Sequence, residues 1–211
     1  MNNKVKLFIQ IEDEIIRNKL FKLDANTFVI YAYLKYLHFR TFGKNEMEID
    51  HNFLKNKLYI NDNRTVKRSL EVLHKQGVIL ELINKLPSKG GIKVTFNDET
   101  IESNSFTQLP VTILHKIEHI GVLGVRLLFY YESFINRNSD ITEQFAFPSV
   151  ETTAETLGIS FKTVYKYNEI LKEKKLLKVD KHELDLDGYD NLDNALFTKY
   201  NNHYYVKLDK L

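Results

Sequence analysis

The chain has 211 residues, 43% of them apolar, and 30 Lys and Arg balance 28 Asp and Glu to a formal net charge of +2. The absence of Cys excludes disulfides, thiol catalysis and thiolate metal sites. No apolar run reaches the roughly 18 residues of a membrane-spanning helix, and the opening "MNNKVKLFIQIEDEII" lacks the apolar core of a signal peptide. A cytoplasmic protein with no membrane partner is expected, and the small net charge excludes a DNA-coating tail while leaving room for a local basic patch.

In chain order, "LFIQI" (7–11) predicts a short extended piece. "ANTFVIYAYLKYLHF" (25–39) is apolar almost all round, which predicts a helix buried on most sides. "HNFLKNKL" (51–58) reads as a short helix and "YINDN" (59–63) as a turn in which Asn61 or Asp62 can cap the next helix. That helix has apolar residues at 66, 70 and 73, and an opposite face of Arg64, Thr65, Lys67 and Arg68. "GVILELI" (77–83) then reads as a strand, and "NKLPSKGGIKVTF" (84–96) as a hairpin with Gly90 and Gly91 near its tip.

Beyond the polar link "NDETIESNS" (97–105) the same grammar returns. "SFTQL" (105–109) is extended, "GVRLLFYYESFI" (124–135) is a buried helix, and "VETTAETL" (150–157) is a short helix. Gly158 supplies a turn, because Gly tolerates positive φ, and Ser160 can cap the following helix. That helix has apolar residues at 164, 167 and 171 opposite Lys162, Thr163, Tyr165 and Lys166, and "LLKVD" (176–180) closes it with a strand.

The recurrence keeps one offset. Shifting the chain by 98 residues aligns Phe8 with Phe106, Gln10 with Gln108, Tyr33 with Tyr131, Arg64-Thr65-Val66 with Lys162-Thr163-Val164, and Val78-Ile79 with Leu176-Leu177. Only the turn slips by one, with Leu58 on Leu157 and Ile60 on Ile159. Two copies of one unit, 1–102 and 103–211, are therefore expected. Each is a helix-turn-helix with a β-ribbon appended, giving a mostly α chain with small β-hairpins (α+β) and two tandem winged-helix domains.

The stretches "IDHNFLKNKLYINDNRTVKRSLEVLHKQGVI" and "FPSVETTAETLGISFKTVYKYNEILKEKKLL" carry a resemblance to the tandem winged-helix replication initiators of plasmids and phages. DnaD-type primosome proteins share the same kind of unit. The resemblance implies duplex DNA binding at an origin or operator, with the third helix of each unit in a major groove. One position departs from the pattern: Leu70 meets the expected apolar residue four after the Val of the reading helix, whereas Asn168 does not.

Charge distribution distinguishes the two copies. Residues 51–94 hold nine Lys or Arg against three acids, a local balance of +6 that suits phosphate neutralisation. Residues 180–193 hold six acids and one Lys, a ribbon that phosphate would repel. Three readings compete for this acidic stretch: a solvated loop, which leads, a protein-contact arm and a cation site. It lacks the terminal Glu of an EF-hand loop, and the first half is expected to bind DNA more tightly than the second.

Enzyme signals are weak. "HKIEH" (115–119) spells a zinc-peptidase motif, with His115 and His119 one helical turn apart, but nothing points to a third ligand. "FGKN" and "KGGIK" lack the spacing of a phosphate-binding loop. The expectation is a non-enzymatic DNA-binding protein without metal or cofactor. Its candidate DNA-binding residues are Arg64, Thr65, Lys67, Arg68, Lys85, Lys89, Lys93, Ser160, Lys162, Thr163, Tyr165 and Lys166. Duplex DNA is the partner, with replication proteins or self-association as further partners. A plasmid or phage replication role leads, and a transcriptional repressor of a mobile element or a primosome-type interaction module are the alternatives.

Overall fold

The computed structural model describes residues 7–41, 44–97, 105–182, 185–189, 195–198 and 201–211. The link at 98–104 and most of the acidic stretch 180–193 lie outside the residues whose side chains are described. The elements are β1 (Phe8–Glu12), α1 (Asp13–Ile16), α2 (Ala25–Arg40), β2 (Glu46–Ile49), α3 (His51–Lys57), α4 (Asn63–Lys75) and β3 (Ile92–Thr95). The second half continues with β4 (Phe106–Pro110), a 3-10 segment at Val111–Lys116, α5 (Ile117–Glu132), α6 (Val150–Leu157), α7 (Phe161–Glu173), β5 (Leu177–Asp180), β6 (Asp185–Tyr189), β7 (Ala195–Thr198) and β8 (His203–Val206). Every sheet ladder is a two-stranded antiparallel pair, so the chain is of mixed α+β class.

The reason α2 and α5 are legible as buried helices is visible in their surroundings. Thr27 through Leu34 of α2 and Gly124 through Glu132 of α5 are continuously buried. They pack on each other, with Phe28 edge-on to Phe129 at 5.4 Å between ring centroids. A single apolar cluster runs through both halves, from Ile9 and Ile11 through Phe28 and Phe129 to Tyr204 and Val206. Helix α5 is broken at Gly121 (φ 67°, ψ 169°), so its continuous part begins where α2 begins in the first copy.

The repeat is built as a two-fold. Strands β1 and β4, which are equivalent in sequence, pair antiparallel with Gln10 opposite Gln108, and the Gln108 amide donates to Gln10 Oε1 at 3.0 Å. Two symmetry-equivalent hydrogen bonds extend this ladder: Asp13 N–H to Ser105 O at 3.2 Å and Val111 N–H to Leu7 O at 2.8 Å. Equivalent residues meet again between α2 and α5, where the Arg126 guanidinium carbon lies 3.9 Å from the centre of the Phe28 ring. A local two-fold axis therefore passes between Gln10 and Gln108 and between Phe28 and Arg126. Arg126 is 1% exposed, and burial pulls its pKa down to about 9. It donates to Asn18 Oδ1 at 2.8 Å and to Ile15 O at 3.3 Å across the interface.

Backbone geometry repeats where sequence does not. The turns before α4 and α7 pass through left-handed φ, at Tyr59 (52°) in the first copy and Gly158 (65°) in the second. The turn after it does the same at Gly77 (73°) and Lys175 (59°). Each copy thus places Gly at one of the two positions and accepts a strained side chain at the other.

The ribbons differ from the sequence expectation in detail. Residues 77–83 do not form a full strand: Ile79 bridges Phe96, Leu80 N–H donates to Thr95 O at 3.0 Å, and Asn97 N–H to Val78 O at 3.0 Å. The pairing stops there because the Glu81 carboxylate takes the Thr95 N–H at 2.6 Å and its hydroxyl at 2.5 Å. The regular partner of β3 is β2, which precedes the helix pair, rather than the other arm of a hairpin. In the second copy β5 pairs with β8, Ala146 bridges Tyr204 on the far side of β8, and β6 pairs with β7 beyond.

Candidate nucleic-acid interface

Each copy contains a short helix, a turn and a longer helix whose starts are fixed by side-chain caps. Asp50 caps α3 and Ser149 caps α6. Of the two candidates at the turn of the first copy, Asp62 is the cap: its Oδ1 accepts from Thr65 N–H at 2.7 Å and its Oδ2 from the Thr65 hydroxyl at 3.1 Å. The Thr65 N–H holds the Asp62 carboxyl below the usual carboxylate range. Ser160 caps α7, accepting from Thr163 N–H at 3.1 Å, with the two hydroxyls 2.8 Å apart. The hydroxyls of Thr65, Ser160 and Thr163 are therefore engaged in the capping bonds at helix starts.

The buried stripe of α4 is Val66, Ser69, Leu70 and Leu73. That of α7 is Val164, Asn168 and Leu171, with Tyr167 only half-buried, so the stripe runs through Asn168 rather than Tyr167 as the apolar spacing suggested. The polar residue is satisfied: the Tyr131 hydroxyl donates to Asn168 Oδ1 at 2.9 Å. A side-chain bond to α5 thus replaces the apolar contact that Leu70 makes in the first copy.

The opposite faces are open. Arg64 and Arg68 are exposed, while Lys67 is half-buried and forms an ion pair with Glu71 at 3.3 Å. On the ribbon side Lys85 and Lys89 are exposed, and Lys93 pairs with Glu46 at 2.8 Å, which raises its pKa. On α7, Lys162 and Lys166 are exposed beside Tyr165, 57% exposed, and Phe161, 50% exposed. Phe161 was missed in the sequence because a Phe at a helix start reads as core. The i, i+4 spacing to Tyr165 is the signal that places both on one outer face.

Thr65 of α4 and Tyr167 of α7 line one cleft of about 380 Å³, together with Tyr59, Asp62 and Glu118. The cleft therefore lies where the two copies meet, and Tyr59 closes one side by donating to Glu118 Oε2 at 3.0 Å. That contact uses the Glu of "HKIEH". His115 stands on the 3-10 segment and His119 on the turn before the Gly121 break, both exposed. Among the described residues no group of three or more His, Asp or Glu gathers in a way that could hold a metal ion, and no helix is long and apolar enough to cross a membrane. Comparisons with protein-family models, curated proteins and solved structures found no match to this chain.

Proposed function

We propose that the chain is a sequence-specific duplex DNA-binding protein made of two winged-helix units, with α4 and α7 as the reading helices. The observation that carries this reading is the duplicated, capped helix–turn–helix whose outer face bears Arg64 and Arg68 in one copy and Lys162 and Lys166 in the other, all exposed. The segment between Ile83 and β3, which forms no strand, adds exposed Lys85 and Lys89 to the same unit. Exposed guanidinium groups suit both phosphate oxygens and the O6 and N7 edge of guanine. We assign Lys67 and Lys93 a supporting role, since each already pairs with a carboxylate, Glu71 and Glu46 respectively.

Within this class, initiation of replication on a plasmid or phage, or a neighbouring step of that process, is the leading role, and repression of a mobile element is the second. The test of DNA binding is direct. The triple variant Arg64→Ala, Lys67→Ala, Arg68→Ala is expected to bind its selected duplex at least tenfold more weakly and to show a flatter salt dependence, each lost phosphate contact lowering the log–log slope by about 0.9. Unchanged affinity and slope in a gel-shift titration, with circular dichroism showing an intact fold, would refute the assignment. Self-assembly with only weak, sequence-independent DNA affinity would favour the primosome-type interaction module.

A further inference from the structure

We propose that the cleft between the two copies binds a linear diamine, with one ammonium group on Asp62 of the first copy and the other on Glu118 of the second. The inference stands apart from duplex binding, and its test uses no DNA.

The lining decides the chemistry of the ligand. The cleft of about 380 Å³ falls within the range of small-molecule sites, roughly 300–1,000 Å³. Its lining has two carboxylates and, among the described residues, no Lys, Arg or His. That balance attracts a cation and repels a phosphorylated ligand. Ile60, Ile117 and Val122 supply apolar surface, which suits methylene groups. A metal ion fits poorly, because among the described residues no group of three or more His, Asp or Glu gathers to ligate one, whereas hard cations take about six or more oxygen ligands. The chemistry that remains is an organic ammonium ion with an alkyl body.

Both carboxylates have acceptor positions left for it. Asp62 uses Oδ1 for the Thr65 N–H and Oδ2 for the Thr65 hydroxyl, and a carboxylate has about four lone-pair sites. Glu118 Oε2 accepts from the Tyr59 hydroxyl at 3.0 Å, and Glu118 pairs with no Lys or Arg among the described residues. Tyr59 and Tyr167 add rings whose faces attract ammonium groups. A Cβ at Gly121 would stand 3.5 Å from the Tyr167 hydroxyl oxygen, and that hydroxyl makes no hydrogen bond among the described residues. Gly121 is at φ 67°, ψ 169°, a conformation that Gly alone adopts readily. The backbone facing Tyr167 therefore carries no side chain.

Two charges on the ligand follow from where the carboxylates stand. Asp62 belongs to the cap of α4, and Glu118 to the turn before the Gly121 break in α5. A monoamine can serve one of them. A diamine serves both and ties the copies together across the cleft.

The experiment titrates putrescine into the full-length protein by calorimetry. One putrescine per chain is expected to bind, and butylamine at least about tenfold more weakly, the loss of one charge-assisted hydrogen bond. Asp62→Asn keeps a capping oxygen, and Glu118→Gln keeps an acceptor for Tyr59, so each removes charge and leaves the local bond. Each variant, with an intact fold by circular dichroism, is expected to bind putrescine at least about tenfold more weakly. Putrescine should also raise the melting temperature of the natural chain by mass action, and raise that of Glu118→Gln less. Magnesium at equal concentration should not displace it. Equal affinity for butylamine and putrescine would overturn the two-ended site. Unchanged affinity in both variants, or displacement by magnesium, would reduce the binding to unspecific charge attraction and overturn the site altogether. Absence of saturable binding at millimolar putrescine would do the same, and would leave the duplex-binding reading untouched.

Discussion

Replacing Asn168 and Tyr131 together tests how the second copy holds α7. The Tyr131 side chain is fully buried and Asn168 is 6% exposed, with a 2.9 Å O–H···O bond between them. Tyr131→Phe strands the Asn168 amide away from water, at an expected cost of about 1–3 kcal/mol. Asn168→Leu strands the Tyr131 hydroxyl, but the nearby Thr153 hydroxyl takes part of its bonding and the new side chain adds buried apolar surface, so the cost falls toward about 1 kcal/mol. In the double variant neither polar group remains, and the site takes the Leu that position 70 carries in the first copy. Its stability is expected within about 0.5 kcal/mol of the natural protein or above it, because removing both partners of a buried bond is nearly neutral. The cycle should therefore close with a coupling of about 2–4 kcal/mol, measured by urea unfolding, or as melting shifts of about 2–4 °C per kcal/mol for a chain of this size. Additive losses, with a coupling below about 0.5 kcal/mol, would show that the bond does not support α7.

Burial pushes the hydroxyls of Tyr31 and Tyr131 well above their usual value, with Glu12 adding to the effect at Tyr31 and Tyr204 at Tyr131. Stability held below the unfolded pKa of about 10 is therefore lost as pH rises through the higher folded values, and tyrosinate absorbance should show a late ionising group that appears together with unfolding; smooth titration of all 12 tyrosines in the folded protein would contradict this. Lys175 is exposed at φ 59°, so Lys175→Gly should raise stability by about 0.5–1 kcal/mol, the relief of left-handed strain less the entropy cost of Gly; a loss of stability in urea unfolding would refute it. Residues 1–102 alone leave β1 without its partner and uncover Ile9, Ile11 and Phe28, so this fragment should lose near-ultraviolet dichroism or self-associate through the open strand edge; a well-folded monomer by size exclusion would count against a shared core.

Comparison of DNA affinity between the halves is accordingly best made within the full chain. Separate halves are a natural reading of a tandem repeat, since an offset of 98 residues says that two units are alike and nothing about how they touch. The contact is written in residues that look unremarkable in isolation. "LFIQI" and "SFTQL" read as short extended pieces, yet their partner is each other rather than a neighbour in the same unit. A strand needs a partner edge, and sequence pattern does not name it.

What the sequence by itself determined is local and periodic. The buried helices α2 and α5 came from apolar residues on all sides, the short helices α3 and α6 from their spacing, and the start of α7 from Ser160 after Gly158. The exposed faces of α4 and α7 came from the same spacing, because a helix with one apolar stripe has only one side to turn outward. Tertiary structure decided what depends on distant groups. It put Asn168 rather than Tyr167 in the core because a Tyr131 hydroxyl waits there, and it ended the 77–83 strand because the Glu81 carboxylate takes the Thr95 donor. It also tied up Lys67 and Lys93 in ion pairs. Above all it joined the copies about a two-fold, with Arg126 buried on Phe28. Periodicity reports which side of an element is buried, whereas the identity of the surface that buries it is a long-range choice made by packing.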